Sequence, residues 1–88
     1  MLTERQRRVF DVVKAKVIEV MIDLDPALIT PDGNLTELGA NSVDRVEIAM
    51  LAMEELDVRV PRVELAEVRD LRGLVTLLSS HWRAAPGS

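Results

Sequence analysis

Apolar residues recur at helical spacing in three stretches of this chain, and that periodicity restricts it to a helical fold. The first stretch begins near Thr3, which has capping-box spacing with Gln6. The helix is expected to stop near Asp23, because Pro26 cannot continue it. Its predicted buried stripe consists of Phe10, Val13, Val17 and Val20.

Three further helical segments are predicted after a long loop. The second helix should span residues 42–56, a short third helix residues 64–69, and the last should start at Asp70, an N-cap candidate. Residues 57–60 alternate like a strand but have no second strand to pair with, so they are expected to form an extended connector. The predicted inner faces are Val46, Ala49, Met50, Met53 and Leu56 on the second helix, and Leu71, Leu74, Val75, Leu78 and Trp82 on the last.

The predicted fold class is therefore all-α: a small four-helix bundle, with three main helices, one short helix and a long first loop. Residues 1–83 should form the domain, and residues 84–88 a flexible C-terminal tail. Within the loop, Thr30 to Gly33 has the chemistry of a type I turn, and residues 36–38 are candidates for a single helical turn. Four apolar side chains are expected to hold the loop on the core: Leu28, Ile29, Leu35 and Leu38.

Composition excludes several classes of function. Of the 88 residues 48% are hydrophobic but only 2% aromatic, so the core must be aliphatic, and no cysteine is present for disulfides or thiol chemistry. The net charge is -4, and the acidic body disfavours nucleic acid while suiting a basic-faced protein partner. No apolar run approaches a membrane span, and the start does not resemble a signal peptide, so a cytoplasmic location is expected.

A turn of small residues leads into the second helix and presents one hydroxyl at its start. Gly39 and Ala40 precede Ser42, so an enzyme could approach that hydroxyl without meeting bulky side chains. Ser42 or Asn41 could equally be an ordinary N-cap, since both residue types are preferred there. A helix N-terminus also favours an attached phosphate, so this serine is a candidate site of covalent attachment.

Catalysis has almost no support in the sequence. A nucleophilic serine needs a base and an orienting group, and the only histidine is His81 near the chain end, where a solvated helix-end role is the simpler interpretation. The segment around Ser42 lacks the second glycine of a G-x-S-x-G elbow. Glu54 and Glu55 are adjacent and point in different directions on a helix, and no metal-ligand spacing occurs. We therefore expect a protein that is not an enzyme.

Residues 38–47, Leu-Gly-Ala-Asn-Ser-Val-Asp-Arg-Val-Glu, resemble the L-G-x-D-S-L-D-x-V-E signature of acyl carrier proteins. The resemblance extends from the first helix to Trp82, and includes the long loop and the Val-Arg-Val-Pro segment before the short helix. It implies that a phosphopantetheinyl transferase attaches 4'-phosphopantetheine from coenzyme A to Ser42. The thiol of that arm would carry acyl groups as thioesters among partner enzymes.

The resemblance also implies a partner-binding surface, at Val43, Asp44, Glu47, Met50 and Glu54, and Arg45 is a further candidate partner residue that departs from the family pattern. For Val43 and Met50 the competing interpretation is core packing, and for the three acids it is a solvated helix face.

Two residues depart from the family pattern. Asn41 replaces the usual aspartate, and Arg45 places a cation in the first turn, where the helix dipole disfavours it. A matching acid on a partner and simple surface tolerance both explain Arg45.

The Gly-Ala-Asn-Ser-Val-Asp-Arg version is most similar to the discrete donor carriers of polyketide β-branching cassettes. That similarity implies an acetyl group donated to a hydroxymethylglutaryl-synthase-like enzyme, with a ketosynthase-like enzyme and an acyltransferase as further partners of a monomeric carrier. The alternatives are a primary fatty acid carrier, a peptidyl or D-alanyl carrier, and, from other classes, an unmodified helical interaction module or a minimal hydrolase using Ser42 and His81.

Overall fold

The computed structural model describes residues 2–68 and 70–82. All regular secondary structure within them is helical, which confirms the all-α class and the four-helix bundle with one short helix. The predicted tail, residues 84–88, lies outside the described residues. The elements are α1 (Glu4–Val20), one turn of 3₁₀ helix (Pro26–Leu28), α2 (Ser42–Leu56), α3 (Arg62–Ala66) and α4 (Leu71–His81).

Helix α1 starts at the predicted capping box. The Thr3 hydroxyl accepts a hydrogen bond from the Gln6 N–H at 3.1 Å, and the Gln6 side chain accepts one from the Thr3 N–H at 3.0 Å. The helix ends at Val20, three residues before the predicted Asp23. Met21 leaves the helical conformation, and the Leu24 N–H then donates to the Met21 carbonyl at 3.0 Å, so a turn replaces the expected last turn of helix.

The buried face of α2 differs from the prediction. Val46 and Met50 were expected in the core, but they are 48% and 49% exposed. Each lies two residues from Ile48, and a helix turns by about 100° per residue, so both point nearly opposite to it. The predicted Ala49 and Leu56 are buried, and the predicted Met53 packs against the core from a partly buried position. The residues that α2 buries are Ile48, Ala49, Ala52 and Leu56.

Helix α1 packs against both α2 and α4, and the core between them is aliphatic as predicted. Phe10 is the one aromatic side chain that is buried in the described residues. Trp82 is only partly buried, and the Arg5 guanidinium lies 5.0 Å from the centre of its ring. The side chains with almost no exposure are Val9, Val13, Val17, Ile48, Leu71, Val75 and Leu78.

A β-turn and three apolar side chains hold the first loop against the core. The Gly33 N–H donates to the Thr30 carbonyl at 2.9 Å, which confirms a β-turn there. Ile29 and Leu35 are buried as predicted, and Leu38 packs against the core from a partly buried position. Leu28 was predicted to pin the loop but is 53% exposed, because the 3₁₀ turn directs the adjacent Ile29 inward instead.

Contacts with α4 fix the middle of the loop, and a hydrogen-bonded turn closes it. Arg72 makes a salt bridge of 2.8 Å with Asp32, and the Leu71 N–H donates to the Gly33 carbonyl at 2.9 Å. Residues 35–39 form the predicted turn, in which the Leu38 N–H donates to the Asn34 carbonyl at 3.1 Å. The loop therefore reaches α2 in a defined position.

Helix α3 begins two residues earlier than predicted, at Arg62, and ends at Ala66. Pro61 stands at its N-cap with a ψ of 142°, and α3 has no side-chain capping hydrogen bond there. Residues 57–60 form the predicted connector and no strand, with Val58 and Val60 buried. The predicted cap of α4 is also present, since the Asp70 carboxylate accepts a hydrogen bond from the Gly73 N–H at 2.7 Å.

Candidate functional site

The N-terminus of α2 is capped reciprocally by two side chains. Asn41 Oδ1 accepts a hydrogen bond from the Asp44 N–H at 2.8 Å, and Asp44 Oδ2 accepts one from the Asn41 N–H at 3.2 Å. Asn41 is therefore the N-cap, which settles the choice between Asn41 and Ser42 that the sequence leaves open. The cap leaves the serine hydroxyl free for another use.

Ser42 is the first residue of α2, and its side chain is exposed. Among the described residues its hydroxyl has no hydrogen-bond partner. Gly39 precedes it with φ at +103°, a conformation that glycine adopts without steric cost. Ala40 is buried at 5% exposure, and its N–H donates to the Leu35 carbonyl at 2.9 Å. This tight approach presents the hydroxyl to solvent at the end of the bundle.

The outer face of α2 forms a shallow depression that starts at Ser42. It brings together four of the six predicted partner residues on one exposed surface. Val43 is 70% exposed and Met50 is 49% exposed, so the core-packing interpretation of both is wrong. Glu47 and Glu54 place two carboxylates on the same surface. We call this surface the outer face; its residues are Ser42, Val43, Val46, Glu47, Met50, Leu51 and Glu54.

A second, more enclosed site adjoins the outer face and shares Ser42, Val46 and Met50 with it; it lies between α2, α3 and the start of α4. This α2–α3 groove has a volume of about 510 Å³ and mostly apolar walls. Its polar and charged residues are Ser42, Arg45, Arg62 and Asp70. The groove is large enough for a flexible chain of apolar and polar groups. Its apolar walls include Ala49, Met53, Val60, Leu65, Val68 and Leu74.

The remaining two predicted partner residues lie apart from the outer face. Asp44 is half-buried, and its carboxylate takes part in the α2 cap. Arg45 is also half-buried and lines the α2–α3 groove. Its Nε atom is fully buried and has no hydrogen-bond partner in the described part of the chain. A buried donor without an acceptor is unfavourable, so this atom calls for an explanation.

His81 is not placed to activate Ser42. It ends α4, and its Nε2 atom lies 3.8 Å from the Glu64 carboxylate. The opposite end of α4, at Asp70, borders the groove. The eleven residues of α4 span about 16 Å, and this length separates His81 from the groove end of the helix. Within residues 2–68 and 70–82, no group of histidine and acidic residues has the arrangement of a metal site. The site is thus a displayed hydroxyl beside a groove.

Residues 11–78 match the family described as "Phosphopantetheine attachment site". The chain is also 38% identical over 73 residues to the polyketide biosynthesis acyl-carrier-protein AcpK of Bacillus subtilis (strain 168), covering 83% of this chain and 89% of that protein. The chain belongs to the acyl carrier protein family. Its cofactor is accordingly 4'-phosphopantetheine, which these proteins carry covalently on a serine.

Other acyl carrier proteins are similar at lower identity. One from Syntrophobacter fumaroxidans (strain DSM 10017 / MPOB) is 27% identical over 73 residues, covering 78% of this chain and 90% of the relative. The mitochondrial acyl carrier protein 2 of Arabidopsis thaliana is 30% identical over 69 residues, covering 77% of this chain and 55% of that protein. Members of the family interact with phosphopantetheinyl transferases and with biosynthetic enzymes.

Two structural features of this acyl carrier protein are not predicted from its sequence. The reciprocal cap has a local signal, because Asn41 and Asp44 have the spacing of a capping box with different residue types. The inward position of Arg45 has no such local signal, since it depends on how α3 packs against α2.

No helix in the described ranges is long and apolar enough to cross a membrane.

Proposed function

We propose that Ser42 is the residue that carries the 4'-phosphopantetheine arm, and that the protein itself catalyses no step. The observation that supports this most directly is an exposed serine hydroxyl, without a hydrogen-bond partner in the described residues, at the first position of α2. The arm, when attached, supplies a thiol that holds acyl groups as thioesters. The protein's own residues display the arm, shelter it and present it to partner enzymes.

The start of α2 suits a phosphodiester electrostatically. The first N–H groups of a helix have no carbonyl partners within it, and the helix dipole places partial positive charge at this end. A phosphate on Ser42 lies in that favourable field. Asn41 and Asp44 complete the cap between themselves, so modification of Ser42 costs the helix no capping hydrogen bond.

We further propose that the cargo belongs to polyketide assembly, and that the protein donates an acetyl group for β-branching. The relative from Bacillus subtilis, named as a polyketide biosynthesis carrier, supports the pathway class. The similarity of residues 39–45 to the discrete donor carriers of polyketide β-branching cassettes supports the donor type. The partners are then a phosphopantetheinyl transferase, an acyltransferase, a ketosynthase-like enzyme and a hydroxymethylglutaryl-synthase-like enzyme, acting on a monomeric carrier in the cytoplasm.

The outer face is the proposed docking surface for these enzymes. Val43 and Met50 contribute exposed apolar area, and Glu47 and Glu54 contribute negative charge for a basic partner. Asp44 borders the same end of α2 as a half-buried carboxylate. Contact between Arg45 and an acid on one partner stays a prediction, which Arg45→Glu tests by weakening that interaction without preventing the loading of Ser42.

The donor role is tested by offering the acetyl-loaded protein to two sets of enzymes. We expect turnover with a hydroxymethylglutaryl-synthase-like enzyme and a β-ketoacyl-loaded acceptor carrier, and poor turnover with fatty acid elongation enzymes. Preference for the elongation enzymes contradicts the donor role and favours a primary fatty acid carrier. The unmodified interaction module is tested separately, because a Ser42→Ala variant with full biological activity would require no arm at all.

A further inference from the structure

Arg45 is a cation without a counter-charge in the described structure. Its side chain is half-buried, and its Nε–H group is fully enclosed without an acceptor. By contrast, the Arg72 guanidinium makes two hydrogen bonds of 3.0 and 2.8 Å to one oxygen of Asp32. A buried polar group without a partner lowers stability, and a charged one does so more strongly. Arg45 therefore has no anionic partner among the described residues.

The nearby carboxylates of the chain do not supply that anion. Asp44, the preceding residue, is engaged in the cap of α2. Asp70 lines the same groove, but one of its oxygens accepts the Gly73 N–H in the cap of α4. Neither carboxylate forms a salt bridge with Arg45 among the described residues. A group attached at the groove that Arg45 lines could therefore provide the missing acceptor.

Ser42 and Arg45 lie on the same side of α2. They are three residues apart in one helix, which places their Cβ atoms about 5–6 Å from each other. Both line the α2–α3 groove. A group bonded to the Ser42 oxygen is therefore within reach of the guanidinium, whose planar fork matches two phosphate oxygens.

We propose that Arg45 binds the phosphodiester that joins the arm to Ser42, and thereby holds the first part of the arm at the α2–α3 groove. The proposal rests on attachment at Ser42. Arg45 is a positioning residue here, and its negatively charged partner is present whenever the arm is attached. The phosphodiester also offsets the unfavourable effect of a cation in the first turn of α2.

The stability test compares unloaded and loaded forms of four proteins: wild type, Arg45→Gln, Arg62→Gln and Arg59→Gln. Arg59 is the matched control, because it is exposed in the connector and lines neither the groove nor the outer face. The loaded form carries the free thiol, so no cargo carboxylate and no partner enzyme is present. Intact mass confirms the loading of each protein before thermal unfolding is measured.

Loading should raise the melting temperature of the wild type and of Arg59→Gln by about 4–8 °C, the shift that a partly exposed ion pair worth about 1 kcal/mol gives in a domain of this size. In Arg45→Gln this gain should be lost. Before loading, Arg45→Gln should be as stable as the wild type or slightly more stable, because it removes a cation from the first helical turn. The effect of the substitution thus depends on the arm.

Nuclear magnetic resonance gives a second readout, and its first part uses the wild-type protein alone. With ¹⁵N-labelled arginine, the Arg45 Nε–H signal should move on loading and exchange more slowly with water, while the Arg59 signal stays in place. The ³¹P signal of the phosphodiester should differ between wild type and Arg45→Gln. An Arg45→Lys variant should keep part of the stabilisation, since lysine provides the charge without the fork.

Three outcomes would overturn the proposal. If Ser42 is loaded but Arg45→Gln gains as much stability as the wild type, and the Arg45 signal does not move, the phosphodiester has no contact with Arg45. If Arg62→Gln alone abolishes the gain, the anion site is formed by the other arginine of the groove. If no loading occurs, attachment at Ser42 fails and this inference fails with it, so the mass measurement separates the two failures.

Discussion

Two short side chains determine what Ser42 is free to do. Asn41 and Asp44 exchange hydrogen bonds across the first turn of α2. In other helices a serine at the N-cap often accepts such a bond. The Ser42 hydroxyl is consequently exposed and available to a modifying enzyme. One turn further, Arg45 directs its charge into the groove. Because Asn41 and Asp44 cap the helix, the Ser42 hydroxyl remains free for attachment.

Removal of the cap should destabilise the protein without removing the serine. Asn41→Ala should lower the free energy of unfolding by about 1 kcal/mol, because the Asp44 N–H loses its acceptor. Asn41→Asp keeps an acceptor at the same place and should stay within about 0.5 kcal/mol of the wild type. Urea unfolding of the three proteins measures the difference. Equal stability of Asn41→Ala and the wild type would show that the cap contributes nothing.

Helix α2 has two apolar faces, one buried in the core and one exposed to solvent. The stripe with Ile48 and Ala52 packs in the core, whereas Val46 and Met50 are exposed beside Ser42. Both sets recur at helical spacing, so periodicity identifies the helix but not which face is buried. That choice depends on the packing of α1 against α2. One helix therefore provides both a wall of the core and the proposed docking surface.

Matched truncations on the two faces should separate these purposes. Ile48→Ala, at a position with no exposure, should lower the free energy of unfolding by about 2–5 kcal/mol through lost burial and a residual cavity. Met50→Ala, at a half-exposed position, should change it by less than about 0.5 kcal/mol while weakening the binding of partner enzymes. Chemical denaturation and binding assays measure the two effects. Similar losses of stability would contradict the assignment of the faces.

A single lysine joins α1 to α2. Lys16 Nζ lies 2.9 Å from Glu55 and 3.0 Å from Glu19, and hydrogen bonds to Glu55 and then Glu19 raise the pKa of its ammonium group above the ordinary value of 10.5. Because the folded-state pKa is the higher one, the stabilisation is complete below about pH 10.5 and is lost as the pH rises through the folded-state value.

The comparison of wild type with Lys16→Met over a range of pH tests this linkage. The melting temperature of the wild type should exceed that of the variant at neutral pH, and the difference should shrink as the pH rises above the Lys16 pKa. Lys14→Met is the control, because Lys14 forms no salt bridge in the described ranges. A difference that stays constant across the whole range would contradict a role for the charged ammonium group.

At the scale of the whole molecule, the three long helices, their caps at Thr3 and Asp70, and the exposed serine follow from local signals in the sequence. Periodicity and capping chemistry act within a few residues, so they are readable before the fold is known. The exposure of Leu28 and the inward position of Arg45 depend on which elements meet in space. The α2–α3 groove itself is a product of tertiary packing and was not predicted.

The negative charge of the outer face should act on the speed of encounter with partners. Glu47→Lys should slow association with a phosphopantetheinyl transferase by up to about tenfold at low salt and change dissociation little. Glu67→Lys is the control, because this exposed residue at the end of α3 lines neither the outer face nor the groove. Stopped-flow association at several salt concentrations measures both variants. Equal slowing by the two substitutions would indicate a general effect of net charge instead.

Intact mass spectrometry after incubation with a broad-specificity phosphopantetheinyl transferase and coenzyme A determines whether the hydroxyl of Ser42 holds the arm. The wild type should gain the mass of one phosphopantetheine group, mapped to the peptide that contains Ser42, and Ser42→Ala should gain none. A wild type that stays unmodified while a control carrier is loaded, or a Ser42→Ala variant that is still loaded, would contradict the account.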